Sequence, residues 1–80
     1  MDIKIVGTGC SNCIKLEETV RIVVKELNVD AEISKISDIK EIAKTGILLT
    51  PGLIVDGKVK LSGKVPSKEE VTKIIKASLP

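Results

Sequence analysis

The hydrophobic period changes twice between residues 2 and 36, and that change limits the topology more than any other feature of the chain. In "DIKIV", residues 2–6, Ile3 and Ile5 fall on one face and Lys4 and Val6 on the other, which is the alternation of a strand. Gly7 to Gly9 interrupt it. From Cys13 the apolar residues Leu16, Val20, Val23 and Leu27 recur at steps of three or four, which predicts a helix of about four turns ending near Asn28. "AEISKI", Ala31 to Ile36, returns to β-forming residues. Strand, crossover helix and strand make a right-handed βαβ unit, so the two strands are expected to pair in parallel.

The remainder supplies a helix, a hairpin and a helix. "SDIKEIAKTG" offers Ser37 or Asp38 as N-cap, turns Ile39, Ile42 and Ala43 inward, and stops at Gly46. "GLIVDGKVKLSG" reads as two antiparallel strands joined by Asp56-Gly57, a dipeptide suited to a tight turn. In "PSKEEVTKIIKASL", Ser67 and Glu70 have the spacing of a capping box, and Val71, Ile74, Ile75 and Leu79 form the apolar stripe. The order βαβαββα, without repeat or linker, predicts one α/β domain spanning residues 1–80, a four-stranded mixed sheet flanked by helices on both faces. A chain this short buries only about 60% of its unfolded surface. With no Phe, Tyr or Trp, Ile, Val and Leu must fill the core.

Thirteen Lys and Arg against eleven Asp and Glu give a net charge of +2, with the two signs interspersed. Such a surface has little attraction for nucleic acid or membranes, and bases would find no aromatic side chain to stack on. The N-terminus has no apolar signal region and no window approaches the ~20 apolar residues of a membrane span, so a cytoplasmic location is expected. Asp2, Glu17, Asp30 and Asp38 read as solvent-facing charges, and Lys15 as a solvated helix lysine.

Two cysteines three apart, Cys10 and Cys13, stand where strand gives way to helix in "VGTGCSNCIKLEE". In a cytosolic chain this spacing points to redox chemistry or metal rather than to a disulfide framework. A helix starting at Cys10 aims unsatisfied N–H groups and its positive dipole end at that sulfur, which favours the nucleophilic thiolate. Cys13, one turn on and in the buried stripe, lies within disulfide reach and reads as the resolving thiol. Packing of both as small hydrophobes is the bland alternative, but it gives no reason for them to cluster behind Gly-Thr-Gly at a helix start. A soft-metal carrier is another: two thiolates suffice for near-linear Cu(I), although not for a structural zinc, and the chain has no His to complete a set. A third is a redox-sensing interaction module, in which a Cys10–Cys13 bridge reshapes the loop from Gly7 to Gly9.

"KTGILLTPGLIVDGK", residues 44–58, places Thr50-Pro51 just before a strand, where spacing alone leaves the bond cis or trans. This stretch and "CSNC" together, in order and spacing, resemble the thioredoxin-like superfamily. The likeness covers nearly the whole chain and is greatest to the minimal archaeal and bacterial thioredoxin/glutaredoxin-like, redox-active disulfide proteins. The resemblance implies a thioredoxin-like fold, a cis Pro51 lying against the cysteine pair, a Thr50 backbone that pairs with the incoming substrate, and Gly63 on the same surface. It implies a dithiol–disulfide oxidoreductase in which Cys10 attacks and Cys13 resolves. Its substrates would be protein or small-molecule disulfides, with a separate disulfide reductase as electron donor. Neither a bound cofactor nor a metal is expected, and a monomer is. A copper-carrier fold would end on a strand, whereas "SKEEVTKIIKASL" reads as a helix. The chain departs from the family in its Ser11-Asn12 dipeptide, in Thr8 and Gly9 where an aromatic neighbour is usual, and in having no Tyr for a glutathione site.

Overall fold

The computed structural model describes residues 1–9, 11–47 and 49–79. Its elements run β1 (Asp2–Val6), α1 (Ser11–Glu26), β2 (Glu32–Ile36), α2 (Ile39–Thr45), β3 (Gly52–Val55), β4 (Lys58–Ser62) and α3 (Lys68–Ser78). The strands form one mixed sheet in the order β2-β1-β3-β4. β1 is parallel to β2 and antiparallel to β3, and β3 is antiparallel to β4.

Alternation in the central strands sends side chains to two cores. Ile3 and Ile5 of β1 and Leu53 and Val55 of β3 meet Leu16, Val20 and Val23 of α1 and Val71 and Ile75 of α3. On the opposite face Val6 and Ile54 pack with Ile42 of α2 and with Ile47. Helices therefore cover both faces, and both cores are aliphatic.

The ends of the helices follow local chemistry. Asp38 caps α2 by accepting the Lys40 N–H at 2.8 Å, and Gly46 ends the helix with φ 82°. Ser67 caps α3 by accepting the Glu70 N–H at 3.2 Å, while the Glu70 carboxylate lies 3.0 Å from Lys64 Nζ. In the hairpin turn Asp56 (φ 49°) and Gly57 (φ 81°) both take left-handed values, the signature of a two-residue type I′ turn. The Asp56 side chain also accepts the Asp2 N–H at 2.8 Å, fastening the hairpin to β1.

Three inward assignments do not hold. Ile39 is 75% exposed and Ala43 is exposed, because a seven-residue helix turns only its Ile42 position onto the sheet. Leu79 is 40% exposed because it is the C-cap of α3, with extended φ and ψ that take it off the helical stripe. The boundaries also tighten slightly: α1 ends at Glu26, with Asn28 left-handed just beyond it, and β2 starts at Glu32 rather than Ala31.

Candidate active site

Register across the sheet assembles the site. Ile36, Val6, Gly52 and Ser62 form one row from β2 through β1 and β3 to β4. The residues one step beyond that row are Ser37, Gly7, Pro51 and Gly63. Residues far apart in sequence are thus brought to a single end of the sheet by backbone pairing alone. Gly7 is held there by its N–H, which donates to Ile36 O at 2.9 Å.

Cys13 enters this end from α1. It shares the buried stripe of that helix with Leu16, Val20 and Val23, and it is only 5% exposed. Its side chain lies against the backbone of Gly7: a methyl built on Gly7 would overlap the Cys13 Sγ and stand 3.0 Å from its Cβ. Thr50 comes to the same point, with its Cβ 4.0 Å from the position of that added methyl. Cys10, assigned as the attacking thiol, lies outside the described residues.

The Thr50–Pro51 peptide bond is cis, with Thr50 exposed and Pro51 buried. Two hydrogen bonds tie this loop to the end of β4. Gly63 N–H donates to Pro51 O at 2.9 Å, and Ser62 Oγ donates to Leu49 O at 3.1 Å. Gly63 adopts φ 72°, a value that favours glycine, and Leu49 is laid across it. Gly63 thereby reaches the site through Leu49 and Pro51.

A cavity of about 270 Å³ opens on the β2 side of Cys13. The loop Gly7, Thr8 and Gly9 forms one wall, Ile14 and Glu17 of α1 another, and Lys35 and Ser37 the third. Glu17 is not the solvent-facing charge expected. Its side chain is 17% exposed, and its carboxylate meets Arg21 Nη2 at 2.9 Å and Lys35 Nζ at 3.3 Å. The Arg21 guanidinium, and then Lys35, hold the Glu17 carboxyl below its ordinary pKa, against an opposing push from burial. Its i, i+4 spacing from Cys13 was the signal that could have placed it beside the cysteine, because such pairs share a helix face.

Residues 1–76 match the family model described as a thioredoxin domain. The chain belongs to the thioredoxin family. Among curated thioredoxins, it is 51% identical to one from Methanothermobacter thermautotrophicus over 75 residues, covering 94% of this chain and 97% of the relative. It is 43% identical to another from Methanocaldococcus jannaschii over 77 residues, covering 96% and 88%. The four-stranded mixed sheet with three helices is the thioredoxin-like arrangement. The chain is a small dithiol–disulfide oxidoreductase. Membership of this family does not favour the soft-metal carrier. Among the described residues no helix is long and apolar enough to cross a membrane.

Proposed function

We propose that Cys10 is the attacking thiol, Cys13 the resolving thiol, and the Thr50–Pro51 edge with Gly63 the surface that receives the substrate disulfide. The Cys10 thiolate attacks one sulfur of a protein or small-molecule disulfide and expels the other as a thiolate, leaving a mixed disulfide. The Cys13 thiolate then attacks the Cys10 sulfur, and the second substrate thiolate departs and takes up a proton. The substrate gains two electrons and the chain is left with a Cys10–Cys13 bridge. A separate disulfide reductase reopens it. The reaction needs no bound cofactor or metal, and it runs in the cytoplasm on a monomer. The shared chemistry extends to glutaredoxin-like exchange with low-molecular-weight disulfides.

The observation that carries this reading is the burial of Cys13 at 5%, against Gly7 and beside Thr50. A thiol so enclosed is poorly placed to attack an incoming protein, which suits the resolving rather than the attacking role. The test is an equilibrium titration of the cysteine pair in thiol/disulfide buffers, read by thiol trapping because the chain has no Trp or Tyr. A reversible two-electron transition between roughly −180 and −270 mV, the range that runs from protein disulfide isomerase through glutaredoxins to thioredoxin, is expected. A pair that stays reduced across that span would refute the assignment.

A further inference from the structure

Gly7 is one of the glycines whose presence backbone conformation does not explain. Gly9, Gly46, Gly57 and Gly63 all have positive φ, whereas Gly7 does not. A side chain at position 7 would be tolerated by the local backbone. What excludes it is the sulfur of Cys13, which occupies the volume that a Cβ would fill. Gly7 is also buried and fixed at the end of β1 by its hydrogen bond to Ile36, so it cannot retreat from the sulfur without disturbing the ladder.

We infer that Gly7 is a positioning residue for the second step of disulfide exchange: its missing side chain is the seat that sets where the resolving sulfur lies. The inference rests on the assignment of Cys13 as resolving thiol. In that step the Cys13 thiolate forms a bond to the Cys10 sulfur while the bond from Cys10 to the substrate sulfur breaks, and the electron pair leaves with the substrate thiolate. Such a displacement depends on the line of approach, and misplacement of a reacting atom by about 1 Å costs on the order of 10²-fold in rate. A methyl at position 7 moves the attacking atom. The cavity that Cys13 and Gly7 both line, bounded also by Ile14, Glu17, Lys35 and Ser37, leaves open space beside the sulfur into which it can be displaced. The fold can therefore accept the methyl at the expense of the sulfur's position.

The test is Gly7→Ala in the full chain, reduced and mixed with substoichiometric 5,5′-dithiobis(2-nitrobenzoate). This probe releases one coloured thiolate when Cys10 forms the mixed disulfide and a second when Cys13 resolves it. The first release is expected within about threefold of wild type and the second slowed about 10²-fold, with the mixed disulfide accumulating and visible by mass spectrometry after acid quench. A second release as fast as in wild type overturns the inference. A wild-type chain that never releases the second thiolate overturns instead the assignment of Cys13 on which it rests. Thermal melts keep the inference testable if Gly7→Ala folds poorly. The loss of melting temperature caused by Gly7→Ala should shrink in a Cys13→Ala background, where the sulfur is gone. An equal loss in both backgrounds would place the conflict in the strand rather than at the sulfur, and would overturn the inference as well.

Discussion

Substituting Gly63 by Ala tests how the loop carrying Thr50 and Pro51 is held. Gly63 sits at φ 72°, where a residue with a Cβ is strained by roughly 1–2 kcal/mol. The alanine recovers about 0.4–1 kcal/mol by restricting the unfolded chain. Its methyl would also stand 2.7 Å from the Cβ of Leu49 and 3.0 Å from its Cδ1. Leu49 is 66% exposed, so its outer carbons can rotate into solvent. Its Cβ cannot, because backbone fixes it: Ser62 Oγ donates to Leu49 O, and two residues on the Gly63 N–H donates to Pro51 O. Overpacking against a fixed atom costs typically 1–3 kcal/mol. The net expectation is a loss of about 2–3 kcal/mol, dominated by the Leu49 contact. Urea unfolding followed by far-UV circular dichroism reads it as a fall in midpoint of about 2–3 M, given a slope near 1 kcal/mol/M for a chain of this size. Leu49→Ala keeps the offending Cβ and should leave the cost of Gly63→Ala unchanged, whereas Leu49→Gly should reduce it to the backbone strain of about 1 kcal/mol. An undiminished cost in the Leu49→Gly background would refute the reasoning.

Two further outcomes follow from the same geometry. Leu16, wholly buried between the sheet and α3, should cost about 2–5 kcal/mol as Leu16→Ala and lower the melting temperature by about 10 °C or more; a shift under a few degrees would contradict its place in the core. Glu17→Gln should cost a few tenths to about 1 kcal/mol at pH 7, since its partners Arg21 and Lys35 are largely solvated. Arg21 and Lys35 lower the folded-state pKa of Glu17 below its unfolded value, so the ionised carboxylate stabilises the fold above the ordinary carboxyl range. That contribution is lost as pH falls through the lower, folded-state pKa. The gap between wild type and Glu17→Gln in thermal melts should therefore close on acidification, and a gap that widens toward low pH would show that the ion pair is not its source.

The elements were legible wherever one face is buried over several turns or several strand residues. The stripe Leu16, Val20 and Val23 and the alternation of Ile3 and Ile5 appear in the core as read. Short elements were not legible in the same way. In α2 the pattern Ile39, Ile42 and Ala43 suggested an inward face, but two turns of helix touch the sheet at one position, and hydrophobicity does not say which. Ile47 went unread because it follows the helix-ending Gly46 and carries no periodic signal, yet it is buried against Val6 and Ile54. The bulge in β4 was also invisible. Opposite Leu53 and Ile54 stand Leu61 and Val59, so Lys60 is an extra residue. It lets Val59 and Leu61 oppose consecutive residues of β3 although they are two apart in sequence. At the site, the cysteine spacing and Thr50-Pro51 could be read from the chain. For Glu17 the i, i+4 spacing from Cys13 carried its helix face, but nothing local carried its ion pair with Lys35 of β2, which depends on the crossover.

The row Ile36, Val6, Gly52 and Ser62 explains why so small a chain can hold such a site. An aliphatic core supplies no aromatic platform and few polar groups with which to orient a reacting thiol. The ladder supplies position instead. Each strand end along that row delivers the next residue to one edge, and two of those residues, Gly7 and Gly63, yield the space that a side chain from elsewhere fills: Cys13 in the first case and Leu49 in the second. The two glycines differ in kind, because Gly63 needs both the space and a positive φ, whereas Gly7 needs the space alone. Substitutions within the strands should therefore act mainly through stability. Substitutions one residue beyond the row should act through where the sulfur and the substrate-facing loop come to rest.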